Sequence, residues 1–396
     1  MARAAKTAVV VDVAEKRDTL SQLLSDTLNK KSKGDRVSYF LKNDAASPTE
    51  ISGWVSTGSS MLDLAISNRP HGGLPIGKIV ELTGLEGTGK SLICFHILKN
   101  TQDAGGIGVL IDTEAAAYAQ YMEAIGVNIN DLVYIPAETI EECWDHIENV
   151  IGTIRAEDKD RPITIILDSV AGASTEAEKA SDTSNDGWAT QKARNMSKNL
   201  RRITHLIGKE KVLLVCTNQL RVDPSVTFGD KYVTSGGKAL GFHSSVRVRL
   251  LNAGKIKTKI GKNETQIGVT AGAKIFKNRC GPPQRQAQFD IYFDRGIDDY
   301  SSWLEVLKLH ELVTRGGSWF TFKRPDNGEE VKFQGNTFAD SLNGDPELRE
   351  QVYQVIAQTI ISKYRNSADL SEDEIMKEKV DSTAIQAQLD QFGEDD

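Results

Sequence analysis

The sequence predicts an α/β fold, in which a mostly parallel β-sheet is flanked by helices. Apolar runs of strand length occur at residues 79–82, 107–111, 132–135, 163–167 and 212–216. The longer runs are continuously apolar, as expected for strands that are buried on both faces. Helical periodicity at residues 141–155 and 188–208 separates the runs along the chain. Strands that alternate with such helices are joined by right-handed crossovers, which makes the strands parallel.

The amino-terminal segment predicts a short helix outside this core. Leu20, Leu23, Leu24 and Leu28 recur at i, i+3, i+4 and i+8, which places them in one narrow stripe. Lysines and then Gly34 follow, as is typical of a helix end. The stripe either docks on a neighbouring subunit or folds back onto its own domain, and the residues alone favour neither.

A glycine-rich motif follows the first apolar run. Its residues are Gly84, Leu85, Glu86, Gly87, Thr88, Gly89, Lys90 and Ser91, which match the pattern G-x-x-x-x-G-K-[ST]. Its glycines can turn successive backbone N–H groups toward one anion, and the next helix points its N-terminal dipole there. Lys90 would reach the β- and γ-phosphates, and the Ser91 hydroxyl would ligate Mg²⁺. The motif predicts nucleotide binding; the alternative is a glycine-rich turn before an ordinary helix.

Acidic residues follow two of the other apolar runs. Because ligands of open parallel sheets bind beyond the carboxyl ends of the strands, these residues are expected at one site. Asp168 would hold Mg²⁺ together with Ser91, directly or through water. Glu114 would polarise the attacking water; the alternative is a surface carboxylate at a helix N-terminus. Tyr121, about two helical turns further on, would stack on the nucleobase or pack in the core.

Asn218 and Gln219 follow the apolar run at residues 212–216. An uncharged amide at this position can hydrogen-bond the γ-phosphate. This hydrogen bond to the γ-phosphate would be lost on hydrolysis, and its loss would change the position of the residues that follow. These two residues therefore predict a connection between the nucleotide and residues 220–234.

Two long irregular segments, residues 171–187 and 220–234, leave the same end of the predicted sheet. Both exceed the length of plain connectors, which is about 4–6 residues. The second interleaves basic and aromatic residues, which suits single-stranded nucleic acid; the alternative is a lid over a small-molecule substrate. Arg221 and Phe228 lie in the second segment and Gly236 and Gly237 follow it, while Lys192, Arg194 and Lys198 follow the first.

Beyond residue 245 the pattern changes. Runs at residues 245–251, 268–276 and 287–293 predict strands without intervening helices, added antiparallel to one edge of the sheet. From about Gly296, a helix at 303–312, a hairpin strand at 319–322 and a helix at 346–363 predict a small α+β domain.

Cysteine usage favours a cytosolic protein, and no membrane span is expected because the sequence has no run of 18 apolar residues. Cys94, Cys143, Cys216 and Cys280 are widely separated and form no C-x-x-C pair, so they predict reduced, mostly buried thiols. The net charge is −7, but residues 366–396 hold ten Asp/Glu and two Lys and alone carry −8, which leaves +1 for the rest. We expect this acidic tail to be disordered, or to compete for a basic groove on the body.

Several further motifs occur at the spacings of one known family. They are Ser56-Thr57-Gly58-Ser59 with Leu62-Asp63, Gly72-Gly73-Leu74-Pro75-Ile76-Gly77, Ile111-Asp112-Thr113-Glu114, Leu167-Asp168-Ser169-Val170-Ala171, Thr217-Asn218-Gln219, Ser235-Gly236-Gly237 and Lys277-Asn278-Arg279. With the glycine-rich motif, they resemble the RecA-type homologous-recombination proteins, most of all the phage UvsX-type branch. The resemblance covers residues 53–363. Gln191 departs from it, because bacterial relatives often have arginine there.

The resemblance implies a role for each candidate residue. Glu114 would activate water, Tyr121 would stack on adenine, and Gln219 would couple ATP to two DNA loops at residues 179–186 and 220–234. Lys277 and Arg279 would reach the ATP of the adjacent protomer. The residues implied to contact or space single-stranded DNA are Arg194, Lys198, Arg221, Phe228, Gly236 and Gly237.

The resemblance also implies a function and a domain division. The chain would be a DNA-dependent ATPase that uses ATP and Mg²⁺ to exchange strands between single-stranded and homologous duplex DNA, as a helical filament in the bacterial cytosol, including that of a phage-infected host. A recombination mediator and a single-strand-binding protein are implied partners. The alternatives are a hexameric helicase-like motor with a RecA-type core, and a mediator paralogue that uses ATP only for assembly. The parts would be a flexible amino terminus with an oligomerisation helix (1–50), a RecA-like core (51–295), a small α+β domain (296–365) and the acidic tail (366–396).

Overall fold

A computed structural model describes residues 19–32, 36–41, 47, 49–180, 188–222, 231–260 and 263–363. Its helices are α1 (Thr19–Lys31), α2 (Ser60–Ser67), α3 (Lys90–Asp103), α4 (Ala119–Ile125), α5 (Ile140–Glu157), α6 (Glu176–Lys179), α7 (Trp188–Lys209), α8 (Ala239–His243), α9 (Asp299–Leu309), α10 (Phe338–Gly344) and α11 (Pro346–Ile360). Short 3₁₀ helices span Ile129–Asp131 and Gly335–Thr337. The strands are β1 (Trp54–Val55), β2 (Leu74–Pro75), β3 (Ile79–Gly84), β4 (Ile107–Asp112), β5 (Val133–Pro136), β6 (Ile163–Asp168), β7 (Val212–Val222), β8 (Tyr232–Thr234), β9 (Val246–Ile260), β10 (Asn263–Asn278), β11 (Gln286–Tyr292), β12 (Gly296–Asp298), β13 (Thr314–Gly316), β14 (Trp319–Lys323) and β15 (Glu330–Gln334).

The predicted α/β architecture is confirmed. Within the described residues the large sheet has the order β12-β11-β10-β9-β3-β7-β6-β4-β5, and β8 pairs with β7. The six strands from β9 to β5 in this order run parallel. Their carboxyl ends therefore meet at one edge of the sheet, which is where the glycine-rich motif begins.

The structure corrects one prediction about the edge strands. The sequence pattern predicts β9 as an antiparallel addition, but β9 runs parallel to β3, from Val80 opposite Val246 to Gly84 opposite Leu250. The chain crosses back through α8 before it enters β9, and so short a helix leaves little periodicity to detect. β10 and β11 are antiparallel to their neighbours, as predicted, and β12, which the sequence pattern does not predict, is antiparallel to β11.

Helices cover both faces of the sheet. Alternate residues of β6 point to opposite faces: Ile166 packs with the α3 side, whereas Ile165 and Leu167 pack with α5 and α7. Each face buries an apolar cluster, which explains why the runs are continuously apolar. None of the described helices combines the length and apolar character that crossing a lipid bilayer needs.

A small α+β module follows the large sheet, as predicted. Its three-stranded sheet, in the order β13-β14-β15, packs with α9, α10 and α11. Met61 and Leu64 of α2 belong to the same apolar cluster, so α2 joins the module to the core. β12 pairs with β11, so the large sheet includes residues up to Asp298.

The helix α1 forms where the leucine pattern predicts it. Its stripe is not buried by the described residues, since Leu20, Leu23, Leu24 and Leu28 are 71%, 62%, 59% and 43% exposed. The predicted acidic tail and residues 1–18 lie outside the described residues.

A buried histidine joins α3 to the strand that leads into the small module. His96 is 8% exposed, and its Nε2 accepts a hydrogen bond from the Ile297 N–H at 3.0 Å. Burial lowers the pKa of His96 from 6.5 to about 4, and the charge of Lys99 acts in the same direction. The fold therefore requires the neutral imidazole.

We expect this histidine to make stability depend on pH. The unfolded chain binds its proton more tightly, so the contribution of His96 is present above pH 6.5 and is lost as the pH falls toward 4. Between pH 7 and pH 5 the loss is about 2 kcal/mol. Denaturant unfolding at both pH values should show this loss in the wild type but not in His96→Gln.

The pH dependence of unfolding must be compared between wild type and His96→Gln, because other buried groups titrate in the same pH range. Burial raises the pKa of Asp63 to about 7 and that of Asp299 to about 6. These two carboxyls contribute a pH dependence of the opposite sign, which both proteins share. Equal pH dependence in wild type and His96→Gln would contradict the assignment.

Candidate nucleotide and DNA site

The glycine-rich motif forms the turn between β3 and α3. Gly87 and Gly89 have φ values of 72° and 87°, a region of backbone conformation that residues with a Cβ rarely adopt. Gly89 is the N-cap of α3 and supplies no side-chain cap, so the first N–H groups of the helix are directed at the turn. A Cβ on Gly84 would lie 2.4 Å from Thr88 Oγ1, which explains the third glycine. The turn has the geometry of a phosphate cradle.

The side chain of Lys90 lies over this turn. Its Nζ donates to the carbonyl oxygens of Gly84 at 3.1 Å and Leu85 at 2.8 Å. Burial lowers the pKa of Lys90, while the nearby charges of Asp168 and Glu114 oppose that shift. The structure therefore brings these three predicted residues together.

Asp168 lies at the end of β6 and accepts hydrogen bonds from two hydroxyls. One comes from Thr217, at 2.5 Å between Oγ1 and Oδ1, and the other comes from Ser91. Burial raises the pKa of Asp168, and both hydrogen bonds oppose this. A carboxylate beside two hydroxyl oxygens is a donor set that suits a hard divalent cation.

Glu114 is held beside Asp168 by the loop that follows β6. Ser169 Oγ donates to Glu114 Oε1 at 2.5 Å, and the Gly172 N–H donates to Ser169 Oγ at 3.1 Å. The loop passes so close that a Cβ on Gly172 would lie 2.7 Å from Glu114 Cγ. The carboxylate is thus fixed near the cradle, where a general base is needed.

Two aromatic residues are candidates to contact a nucleobase. Tyr121 is partly buried, edge-to-face with Phe95 at 6.4 Å between ring centroids. Phe293 follows β11 and is 50% exposed. Ile291 of the same strand packs 2.8 Å from the position of a Cβ on Gly89, so Phe293 lies next to the cradle. The sequence analysis missed Phe293; an aromatic residue after a strand at the ligand edge was its signal.

Two amides within β7 join the nucleotide edge of the sheet to the second long segment. Gln219 lies directly opposite Gly84 in the register of β3 and β7. The neighbouring Asn218 is buried, and its Nδ2 donates to the Ser235 carbonyl at 3.0 Å. Ser235 immediately precedes Gly236 and Gly237. Gln219, which lies beside the cradle, is therefore adjacent in sequence to the residue that bonds this turn.

Asn218 also takes part in a buried charged group that the sequence analysis missed. Its Nδ2 lies 3.3 Å from Glu81 Oε1, and Arg247 Nε lies 2.6 Å from Glu81 Oε2. Glu81 has no exposed area. A glutamate inside the apolar run 79–82 was the available signal, because buried carboxylates require partners.

The structure corrects the prediction that residues 220–234 form one loop. β7 continues to Val222 and pairs with β8, with Leu220 opposite Thr234 and Val222 opposite Tyr232. Cross-strand hydrogen bonds satisfy the backbone at both ends of the segment. Three residues are too few to show the alternation of apolar and polar residues that predicts a strand. Residues 181–187 and 223–230 lie outside the described residues, and with them Phe228 and most of the predicted first DNA loop.

The other predicted DNA contacts lie on α7, on β7 and in the turn that precedes α8. Arg194 and Lys198 are exposed, one turn apart on α7, and Arg221 is exposed on β7. Gly236 and Gly237 have φ values of 79° and 73°, and the turn they form packs on Met196 and Ala193 of α7.

Lys277 and Arg279 lie far from the cradle of their own chain. The Arg279 N–H bonds to Ser245, whose N–H bonds to Ile79 at the amino end of β3. Ile79 is five residues before Gly84 on a strand, a distance of about 16 Å. Lys277 Nζ donates to the carbonyls of Gly241 and Phe242, and burial and the charge of Arg279 lower its pKa to about 8.

Comparison with known proteins agrees with this arrangement. The family model of the RecA N-terminal domain matches residues 27–298. Protein RecA of Crocosphaera subtropica is 32% identical over 306 residues, which cover 77% of this chain and 82% of that protein. Protein RecA of Leptospira biflexa is 36% identical over 277 residues, covering 70% and 67%, and that of Synechocystis is 33% identical over 306 residues, covering 77% and 81%. A match across the large sheet and relatives of this identity and coverage leave one conclusion: the chain belongs to the RecA family.

Proposed function

We propose that the protein is an ATP-dependent DNA strand-exchange recombinase that acts in recombination and repair. As a DNA-dependent ATPase, it converts ATP and water to ADP and phosphate while it pairs single-stranded DNA with homologous duplex. The observation that carries this proposal is the link from Gly84 through Gln219 and Asn218 to Ser235. Through these residues, a nucleotide bound at the cradle would change the position of the hairpin, and DNA bound at the hairpin would change the position of the cradle.

The hydrolytic roles follow from the positions of four side chains. Lys90 would bind the β- and γ-phosphates, Glu114 would accept the proton of the attacking water, and Ser91 and Asp168 would hold Mg²⁺. When bound, Mg²⁺ would neutralise charge that develops on the phosphates. Tyr121 and Phe293 form the candidate walls for the adenine base.

The proposed DNA roles rest on charge and exposure and, for Phe228, which lies outside the described residues, on the family resemblance alone. Arg194, Lys198 and Arg221 contact phosphates, and Phe228 with the Gly236–Gly237 turn spaces the bases. Contacts to phosphate carry no sequence information directly, so base pairing itself reads the sequence. Binding should therefore weaken strongly with added salt.

We further propose a filament in which each ATP lies between two protomers. The exposed leucines of α1 dock on the next subunit, and Lys277 and Arg279 reach the neighbour's phosphates. The finer assignment is to the UvsX-type branch, which acts in the bacterial cytosol of a phage-infected host with a mediator and a single-strand-binding protein. The divisions at residues 50, 295 and 365 are part of this proposal.

The test is strand exchange between a circular single strand and homologous linear duplex, with ATP and Mg²⁺. We expect joint molecules that depend on ATP and on homology. Saturation of the single strand without joint molecules would contradict the recombinase. Unwinding of a duplex without pairing would then favour the hexameric motor, and DNA binding without ATP turnover would favour the mediator paralogue.

A further inference from the structure

Lys192 is a buried lysine between the DNA-contact helix and the catalytic loop. It lies on α7 and is 8% exposed, although Arg194 and Lys198 on the same helix are exposed. Its Nζ donates to the carbonyl oxygen of Ala173 and approaches that of Ala171 at 3.5 Å. Lysine is almost never buried unless it is paired, so these two carbonyls account for its position.

The two carbonyls belong to the loop that encloses Glu114. They flank Gly172, whose N–H donates to Ser169 Oγ, which in turn donates to Glu114. The space is tight, because a Cβ on Gly172 would lie 2.7 Å from both Glu114 Cγ and Thr113 Oγ1. A shift of this loop cannot leave the Glu114 carboxylate in place.

The other side of Lys192 faces the DNA elements. Its neighbour Ala193 packs against the Gly237 turn, 3.1 Å from the position of a Cβ on that glycine. Burial lowers the pKa of Lys192, and among the charges that act on it are Glu178 and Arg221, which lie beside the two long segments. The residue thus lies where both segments depart from the core.

We propose that Lys192 is a positioning residue that couples DNA contact on α7 to the placement of Glu114. The inference rests on the proposed function and adds to it a second connection, distinct from the one through Gln219. DNA contact at Arg194 and Lys198 moves α7, the ammonium of Lys192 moves the carbonyls of Ala171 and Ala173, and the loop sets the Glu114 carboxylate for the attacking water.

The test is Lys192→Met, which keeps an unbranched side chain one atom shorter than lysine but cannot donate a hydrogen bond. We expect the ratio of kcat with saturating single-stranded DNA to kcat without DNA to fall about tenfold, the scale of a lost hydrogen bond to a charged group. The KM for ATP and the Kd for single-stranded DNA should stay within about twofold of wild type. Lys192→Arg, which retains donors, should restore most of the ratio. Lys209→Met, at the exposed end of α7, is the matched control.

Two results would overturn the inference. One is an unchanged ratio in Lys192→Met, and the other is a loss that disappears at saturating DNA, since Lys192 would then only shape the DNA surface. If Lys192→Met melts below the assay temperature, Gly172→Ala tests the same connection from the Glu114 side, and DNA-stimulated turnover at the wild-type level would contradict it. Absence of DNA stimulation in the wild type would instead contradict the proposed function.

Discussion

Glu114→Gln is expected to lower kcat for ATP hydrolysis by about two to four orders of magnitude, the usual contribution of a general base. Glutamine keeps the shape of the side chain and can still accept the hydrogen bond from Ser169 Oγ. It cannot take a proton from water. Nucleotide binding should be retained, because Lys90 and the glycine-rich turn are unaltered. The measurements are steady-state hydrolysis and the Kd for ATP.

A matched control is Glu123→Gln. This carboxylate lies on α4 and is exposed. The Glu123→Gln variant should hydrolyse ATP at the wild-type rate. If Glu114→Gln also did so, Glu114 would not be the base, and the loop contacts of Ser169 and Gly172 would have only a structural purpose.

The strands and the cradle could be predicted because local chemistry determines them. Apolar runs such as 163–167 have few alternatives to a strand buried on both faces. The cradle needs backbone conformations that glycine adopts readily, so Gly87 and Gly89 are visible at fixed offsets in the sequence. The convergence of Asp168, Glu114 and Lys90 then followed from one rule about the carboxyl ends of parallel strands.

The remaining features depend on tertiary context. The direction of β9 is set by where the chain crosses the sheet, which the strand's own residues do not encode. The paired ends of β7 and β8 are each too short to show the alternation of apolar and polar residues that marks a strand in the sequence. Lys192 occurs in a strongly amphipathic helix, where a lysine is expected in solvent, and its burial is decided by the loop packed against it.

The Glu81–Arg247 pair illustrates how the two ends of the sheet are connected. Glu81 lies three residues before Gly84 on β3 and bonds both Asn218 and Arg247. Arg247 lies opposite Lys277 in the register of β9 and β10. The pair of buried Glu81 and partly exposed Arg247 therefore lies between the residues near one protomer's cradle and Lys277, which is proposed to reach the next protomer's ATP.

Lys277→Ala is expected to lower DNA-stimulated ATP hydrolysis by about a thousandfold, since a cation supplied in trans to a transferring phosphoryl group has an effect of this order. Lys277 lies level with Glu81, three residues before Gly84 on β3, and its Nζ is held by the carbonyls of Gly241 and Phe242, not by groups of its own chain's cradle. DNA binding by single protomers should change little. The measurement is steady-state hydrolysis with saturating single-stranded DNA, beside wild type and Lys274→Ala as a matched control on the same strand.

Mixed filaments distinguish action in trans from a general loss of structure. Lys90→Ala and Lys277→Ala protomers are each expected to be inactive alone, because each lacks one half of the composite site. In an equal mixture, a Lys277→Ala protomer that presents Lys90 can meet the intact Lys277 of a Lys90→Ala neighbour. Random assembly makes about one interface in four complete, so about a quarter of wild-type hydrolysis should return in a head-to-tail assembly. A mixture that stays as inactive as its components would place Lys277 outside the site, because two cis-acting defects cannot complement each other across an interface.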